Sequence, residues 1–183
     1  MGHPAPFLPA PPTTRLTVMQ GQVRVSAGPR VELTTVLGSC VATCLYDPAV
    51  QVGGMNHFLL AEPESSSGRV DEHYGVYLME LLINEMLHQG ATKSGLRAHL
   101  YGGANMHSGM ARIGTANAAF AHAFLERERI TLVREDLGGV RARRVDFRPA
   151  TGQVRCRAVE DVAVMQQRPM QRPARSTGDV DLF

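Results

Sequence analysis

The run Val41-Ala42-Thr43-Cys44-Leu45-Tyr46-Asp47-Pro48-Ala49-Val50-Gln51-Val52-Gly53-Gly54-Met55-Asn56-His57-Phe58-Leu59-Leu60 decides the fold. Val41 to Tyr46 is apolar and rich in β-branched residues, as a strand should be. Asp47-Pro48 marks a turn, because proline presets φ and aspartate bonds nearby backbone. Val52 to Leu60 resumes the apolar course, softened by two glycines. Two antiparallel strands joined through Pro48 and Ala49 are expected. Asp47 then faces Val50, Tyr46 faces Gln51 and, counting outward, Cys40 faces His57. Opposed residues share one face with Cβ atoms roughly 4.5–5.5 Å apart, and a one-residue slip would part them. A thiol beside an imidazole is the minimum kit for cysteine nucleophilic catalysis: the base takes the proton and sulfur attacks an acyl carbon. The imidazole is also expected to raise the thiolate fraction. The competing readings are a small buried hydrophobe for Cys40 and a structural role for His57.

Upstream, Leu37-Gly38-Ser39 puts little bulk near the thiol. Val31 to Val36 reads as the strand leading to it, after a Gly28-Pro29 turn, and Arg15 to Val25 as one opening strand. Downstream, Val76 to His88 is the clearest helix. Val76, Met79, Leu82, Ile83 and Met86 recur at helical spacing and Gly90 supplies a stop. Thr115 is placed to cap a second helix that buries Phe120, Phe124 and Leu125. Leu96–Leu100, Ile130–Val133, Val145–Phe147 and Val154–Arg157 read as further strands. The expected class is α/β: a single-domain layered sandwich, helices packed on a mixed sheet. Residues 1–14 read as a flexible Pro-rich leader, 15–162 as the domain, and 163–183 as a disordered tail. Glu62 to Gly68 is a polar loop.

At 183 residues the chain is long enough for one sizeable core. Hydrophobic content of 44% and charged content of 20% fit an ordinary globular domain. A net charge of +2 gives no case for nucleic acid or an acidic membrane. No apolar run approaches the ~20 residues that span a bilayer, and the N-terminus lacks a signal pattern, so a cytoplasmic location without membrane insertion is expected. Three cysteines argue against a disulfide scaffold. Cys40 and Cys44, four residues apart on a strand, lie roughly 13 Å apart, too far for a metal or redox pair. Cys44 therefore reads as packing, Cys156 as part of a late strand, and no metal site is expected. Neither Gly102-Gly103 nor Gly138-Gly139 is followed by the Lys-Ser/Thr of a phosphate loop. Arg141, Arg143 and Arg144 read as a solvated strand face.

Thr34-Thr35-Val36-Leu37-Gly38-Ser39-Cys40, with the run through Pro48 and Gly53-Gly54-Met55-Asn56-His57-Phe58-Leu59-Leu60, resembles the CheD family of chemoreceptor glutamine deamidases. Tyr101-Gly102-Gly103-Ala104-Asn105-Met106, Ile113-Gly114, Asn117, Asp136-Leu137-Gly138-Gly139 and Arg143 continue it in order over roughly residues 16–160. Two positions depart from the family pattern: Ala116 stands where Arg is frequent, and Ala142 where Gly commonly precedes the late Arg. The resemblance implies Cys40 as nucleophile, His57 as general base and acid, and Thr34 as the hydroxyl that orients the imidazole. Thr35 is the neighbour that strand alternation sends to the other face. Backbone N–H groups near Ser39 and Cys40 would hold the oxyanion. No cofactor is implied. The implied partners are cytoplasmic chemoreceptor helices and, in some members, the phosphatase CheC. A non-catalytic receptor- or CheC-binding regulator is the rival reading, and transglutamination on the same thioester the enzymatic one. The implied architecture is akin to the catalytic domain of cytotoxic necrotizing factor toxins.

Overall fold

The computed structural model describes residues 12–60, 72–106 and 111–159. Residues 1–11 of the expected leader, the expected tail and the Glu62–Gly68 loop lie outside them. The described elements run β1 (Thr14–Thr17), β2 (Val23–Ser26), β3 (Val31–Leu37), β4 (Val41–Asp47), β5 (Val52–Asn56), α1 (His73–His88), β6 (Arg97–Gly102), α2 (Ala111–Arg127), β7 (Thr131–Leu137), β8 (Arg143–Arg148) and β9 (Gln153–Ala158).

The strands make two mixed sheets rather than one: β1-β3-β8-β9 and β2-β5-β4-β6-β7. In the first, β1 and β3 are parallel; in the second, β6 and β7 are. The remaining pairings are antiparallel. The central strand β4 is buried on both faces, and its alternation separates two cores. Ala42 and Cys44 point toward the first sheet and pack with Leu33, Leu37, Met55, Tyr101, Val145 and Phe147. Val41 and Leu45 point the other way, into a core closed by Leu78, Leu82, Phe120 and Phe124 of the two helices. The order of layers is sheet, sheet, helices, the two-core arrangement that amphipathic elements reach by burying every apolar face.

The expected elements recur with instructive shifts. Helix α1 starts at His73 and buries Leu78 with Met79, Leu82, Ile83 and Met86, whereas Val76 is only half-buried. Helix α2 buries Phe120, Phe124 and Leu125 as expected, but Thr115 lies inside it. There its hydroxyl accepts from Asn105 Nδ2 at 3.2 Å. The hairpin register is Asp47–Val52 through Cys44–Met55, with a four-residue loop. The Asp47 carboxylate accepts from the Ala49 and Thr92 amides, each at 3.0 Å, and Gln51 closes the loop at φ 55°. The longer loop slides the partner strand by two residues, which preserves which face each side chain occupies.

The opening strand is in fact two. β1 joins the first sheet and β2 the second, and residues 18–22 cross between them. Gly21 turns the chain there at φ 80°. A smooth alternation from Arg15 to Val25 hid this break, and the crossing is what brings a turn onto the cysteine.

Gly102 is a second position with a backbone demand. It sits at φ 109°, and a Cβ there would run into the Cys40 carbonyl oxygen. Gly102→Ala is expected to cost at least about 1 kcal/mol of stability, because the backbone conformation is incompatible with a side chain. Urea unfolding of the wild type and variant measures it.

Candidate active site

His57 follows β5 on the face that looks into the space between the sheets, in step with Met55. Its main chain is fixed on both sides by the crossing turn. Its N–H donates to the Gln22 carbonyl at 3.1 Å, and its carbonyl accepts from the Gly21 N–H at 2.7 Å. Val41 and Phe58 exchange both backbone hydrogen bonds, at 3.0 and 2.9 Å. Extending that pairing by one residue sets Ala42 opposite His57 and Cys40 opposite Leu59. Cys40 is thus diagonal to His57 rather than directly opposed, on the same face, at a backbone spacing of roughly 7–8 Å.

The imidazole is oriented by Thr35. Its Oγ1 lies 2.9 Å from His57 Nδ1, while Thr34 Oγ1 donates to Asp146 Oδ1 at 2.8 Å on the opposite face of β3. Only one of the two threonines reaches His57, as alternation requires, but it is the other one. Thr35 shares its face with Leu33 and Leu37, which are in the inter-sheet core. Thr34 shares its face with Glu32 and the exposed Val36. It joins a polar network in which Asp146 also meets Arg157 at 2.9 Å. The Thr34 and Arg157 bonds hold the Asp146 carboxyl below its usual range against the opposing effect of burial.

Proton counting fixes the tautomer. Thr35 Oγ1 lies 2.8 Å from the Val18 carbonyl, which can only accept, so the single hydroxyl proton goes there. His57 Nδ1 must then carry hydrogen and donate to Thr35 Oγ1. The Nδ1–Val18 oxygen distance of 3.4 Å suits the same assignment. Nε2 is left with its lone pair. It is buried and takes no hydrogen bond among the described residues. Burial lowers the His57 pKa to about 4, partly countered by the Val18 carbonyl.

Cys40 is half-buried at the end of a bend held by backbone and by helix α2. The Gly38 and Cys40 carbonyls accept from the Ala104 and Gly103 amides, each at 2.8 Å. The Ser39 carbonyl accepts from Asn117 Nδ2 at 2.8 Å, and Asn117 Oδ1 accepts from the Leu60 amide, also at 2.8 Å. One fully buried asparagine therefore ties the segment before Cys40 to the segment after His57. Burial pushes the thiol up to about 11, and its own backbone N–H, directed at the sulfur, opposes that. At neutral pH sulfur keeps its proton and the ring is uncharged.

Other candidates fall elsewhere. Cys44 is fully buried in the inter-sheet core, and Cys156 lies on β9 with its thiol 3.5 Å from Asp136 Oδ2. All three cysteines are free. Arg143 is buried rather than solvated: it meets Asp136 at 2.9 Å and the Gly138 carbonyl at 2.7 Å, holding the loop before β8, while Arg141 and Arg144 are exposed. Ala142 is buried without a left-handed backbone, so a side chain fits there. A cleft of about 510 Å³ lined by Glu32, Tyr46, His99, Tyr101, Arg134 and Asp146, among others, includes neither Cys40 nor His57. Residue patterns missed Val18, Gln20 and the clamp made by Asn117. The alternation Val31, Leu33, Thr35, Leu37 carried the signal for Thr35.

The chain matches the family model described as CheD chemotactic sensory transduction over residues 59–158, more than half its length. It is 54% identical over 175 residues to a Zymomonas mobilis protein named "Probable chemoreceptor glutamine deamidase CheD", covering 92% of each chain. A Caulobacter vibrioides protein of the same name is 49% identical over 176 residues, covering 92% of this chain and 93% of that one. This chain belongs to the CheD family. A solved Neisseria meningitidis protein of family DUF152 is a looser likeness, with TM-score 0.47 and 11% identity over 78% of this chain and 73% of that one.

Two outcomes follow from the geometry. The unfolded chain takes up a proton at His57 near pH 6.5 and the folded one near 4. Stability should therefore fall as pH drops from 6.5 toward 4, by about 3 kcal/mol from this residue. Urea unfolding across that range should show a smaller loss for His57→Gln. Asn117→Ala should destabilise by about 2–4 kcal/mol, because it leaves a part-buried carbonyl and a buried amide unpaired. The same unfolding measurement reads it.

Proposed function

We propose that this protein hydrolyses glutamine side chains of chemoreceptors to glutamate, with Cys40 as nucleophile, His57 as base and acid, and Thr35 as the group that orients His57. The observation that carries this reading is the Val18–Thr35–His57 chain, which leaves Nε2 a bare acceptor on a residue that strand pairing sets on the same face as Cys40. The names of close relatives supply the substrate class.

In the reaction Nε2 takes the thiol proton as Sγ bonds to the carboxamide carbon. The Cys40 N–H and neighbouring amides, including that of Ser39, stabilise the oxyanion. The C–N bond breaks, and ammonia leaves with the proton His57 held. Water, deprotonated by the same nitrogen, hydrolyses the thioester, releasing the carboxylate and restoring the thiol. The sum is glutamine plus water giving glutamate plus ammonia. No helix among the described residues is long and apolar enough to cross a membrane, which suits action on the cytoplasmic part of a receptor. Docking to the receptor or to a CheC-type phosphatase without chemistry is the rival, and it does not require the oriented His57.

Purified protein incubated with receptor cytoplasmic fragments should give +1 Da peptides at glutamine and release ammonia. Cys40→Ala should abolish both, and Cys44→Ala should retain most turnover. A wild type that binds the fragments without any +1 Da product selects the rival. Thr35→Ala should lower kcat roughly tenfold or more, within the 10²–10⁴ that a general base is worth, and Thr35→Ser should recover most of it. Thr34→Ala should act on stability instead. The reverse ranking of the two threonines would remove Thr35 from the mechanism.

A further inference from the structure

Gln20 projects from the crossing turn, and its Oε1 accepts the Cys40 thiol proton at 3.5 Å. The turn that carries it is tightly held. Gly21 N–H donates to the His57 carbonyl at 2.7 Å, and Gln22 N–H to the Met19 carbonyl at 3.0 Å. Met19 N–H in turn donates to Gln22 Oε1 at 3.2 Å. The backbone that aims Gln20 is thus fixed to the same residue that supplies the base. Any polar group could have filled the space over the thiol. The group found there is a primary carboxamide on a two-carbon stem, the moiety the proposed reaction consumes.

We propose that the Gln20 side chain occupies the carboxamide subsite of the resting enzyme, so that the glutamine to be deamidated must displace it. This rests on the reading of Cys40 as nucleophile. Gln20 is a tethered competitor rather than a substrate. Its thiol contact is an S–H···O hydrogen bond to the oxygen, whereas attack needs sulfur aligned on the carbonyl carbon. Recognition of substrate then includes an exchange of one carboxamide for another, and an amide held by a receptor helix must win against one supplied by the chain.

The test compares full-length wild type, Gln20→Ala and Gln20→Met, the last keeping side-chain length without an amide. Two measurements are made: steady-state ammonia release with a receptor cytoplasmic fragment, and the rate of Cys40 alkylation by iodoacetamide, followed by peptide mass. Removing the competitor should lower KM and raise kcat/KM, by about tenfold if the subsite is free one tenth of the time in the wild type. Cys40 alkylation should accelerate in both variants. A fall in kcat in both variants, with KM unchanged, would make Gln20 an oxyanion donor and overturn the proposal. Unchanged kinetics and alkylation would also overturn it. Cys40→Ala assayed in parallel separates the two levels: ammonia release that survives it refutes the nucleophile assignment, whatever Gln20 does. Circular dichroism on each variant confirms that the fold is retained.

Discussion

One hydroxyl proton sets the state of this site. Thr35 has a single hydrogen to give, and the Val18 carbonyl, which has none, takes it. The imidazole next to Thr35 must then be the donor of the second bond, so its other nitrogen keeps its lone pair and has no hydrogen bond among the described residues. No carboxylate is needed for this. A neutral hydroxyl anchored by a backbone carbonyl defines the tautomer as firmly, and it does so without stabilising the imidazolium. Burial separately lowers the His57 pKa, and the Val18 carbonyl partly counters it.

The carbonyl that receives the proton belongs to the crossing between two sheets. Val18 ends the run of β1, whose partner β3 carries Thr35. Within the next four residues, just before it enters the other sheet, the chain bonds both sides of His57 through Gly21 and Gln22. The sandwich is thus closed at this end by a segment whose hydrogen bonds are shared among His57, Thr35 and Cys40. A domain built from one sheet would have no such crossing. The helices act at one remove: α2 carries Asn117, which bonds the Ser39 and Leu60 backbones.

Most strands, both helices and the face that Cys40 shares with His57 were legible because they rest on short-range patterns: alternation, helical spacing and a proline turn. The hairpin register was read two residues short, since the Asp47 side chain builds a longer loop than Pro48 alone suggests. Parity survived that error, and with it the shared face. The choice between Thr34 and Thr35 failed differently. Spacing to Cys40 favoured Thr34, yet Leu33 and Leu37 flank Thr35 at the strand period and already marked the inward face. The break at Gln20-Gly21 was hidden because residues on either side of it alternate smoothly. Switching from one sheet to another leaves no local periodic trace. Asn117 was visible as a motif residue, but its bonds go to backbone 78 and 57 residues away, a separation no local pattern encodes.

In the proposed reaction, desolvation gives a reason for His57 to act during the attack. A thiol held at about 11 has roughly a hundredfold less thiolate at neutral pH than an ordinary one at 9. Its thiolate is intrinsically the better nucleophile, but with a Brønsted slope of about 0.4–0.5 two units return only about tenfold. A preformed thiolate would therefore leave the site slower than free cysteine. Transfer of the proton to Nε2 as the carbon–sulfur bond forms removes that deficit, because the sulfur never has to exist as a free buried anion. The acceptor must be unprotonated and correctly turned when the substrate arrives. A low pKa meets the first condition and Thr35 the second. The same burial that suppresses the thiolate thus keeps its base ready, and the two shifts belong to one arrangement.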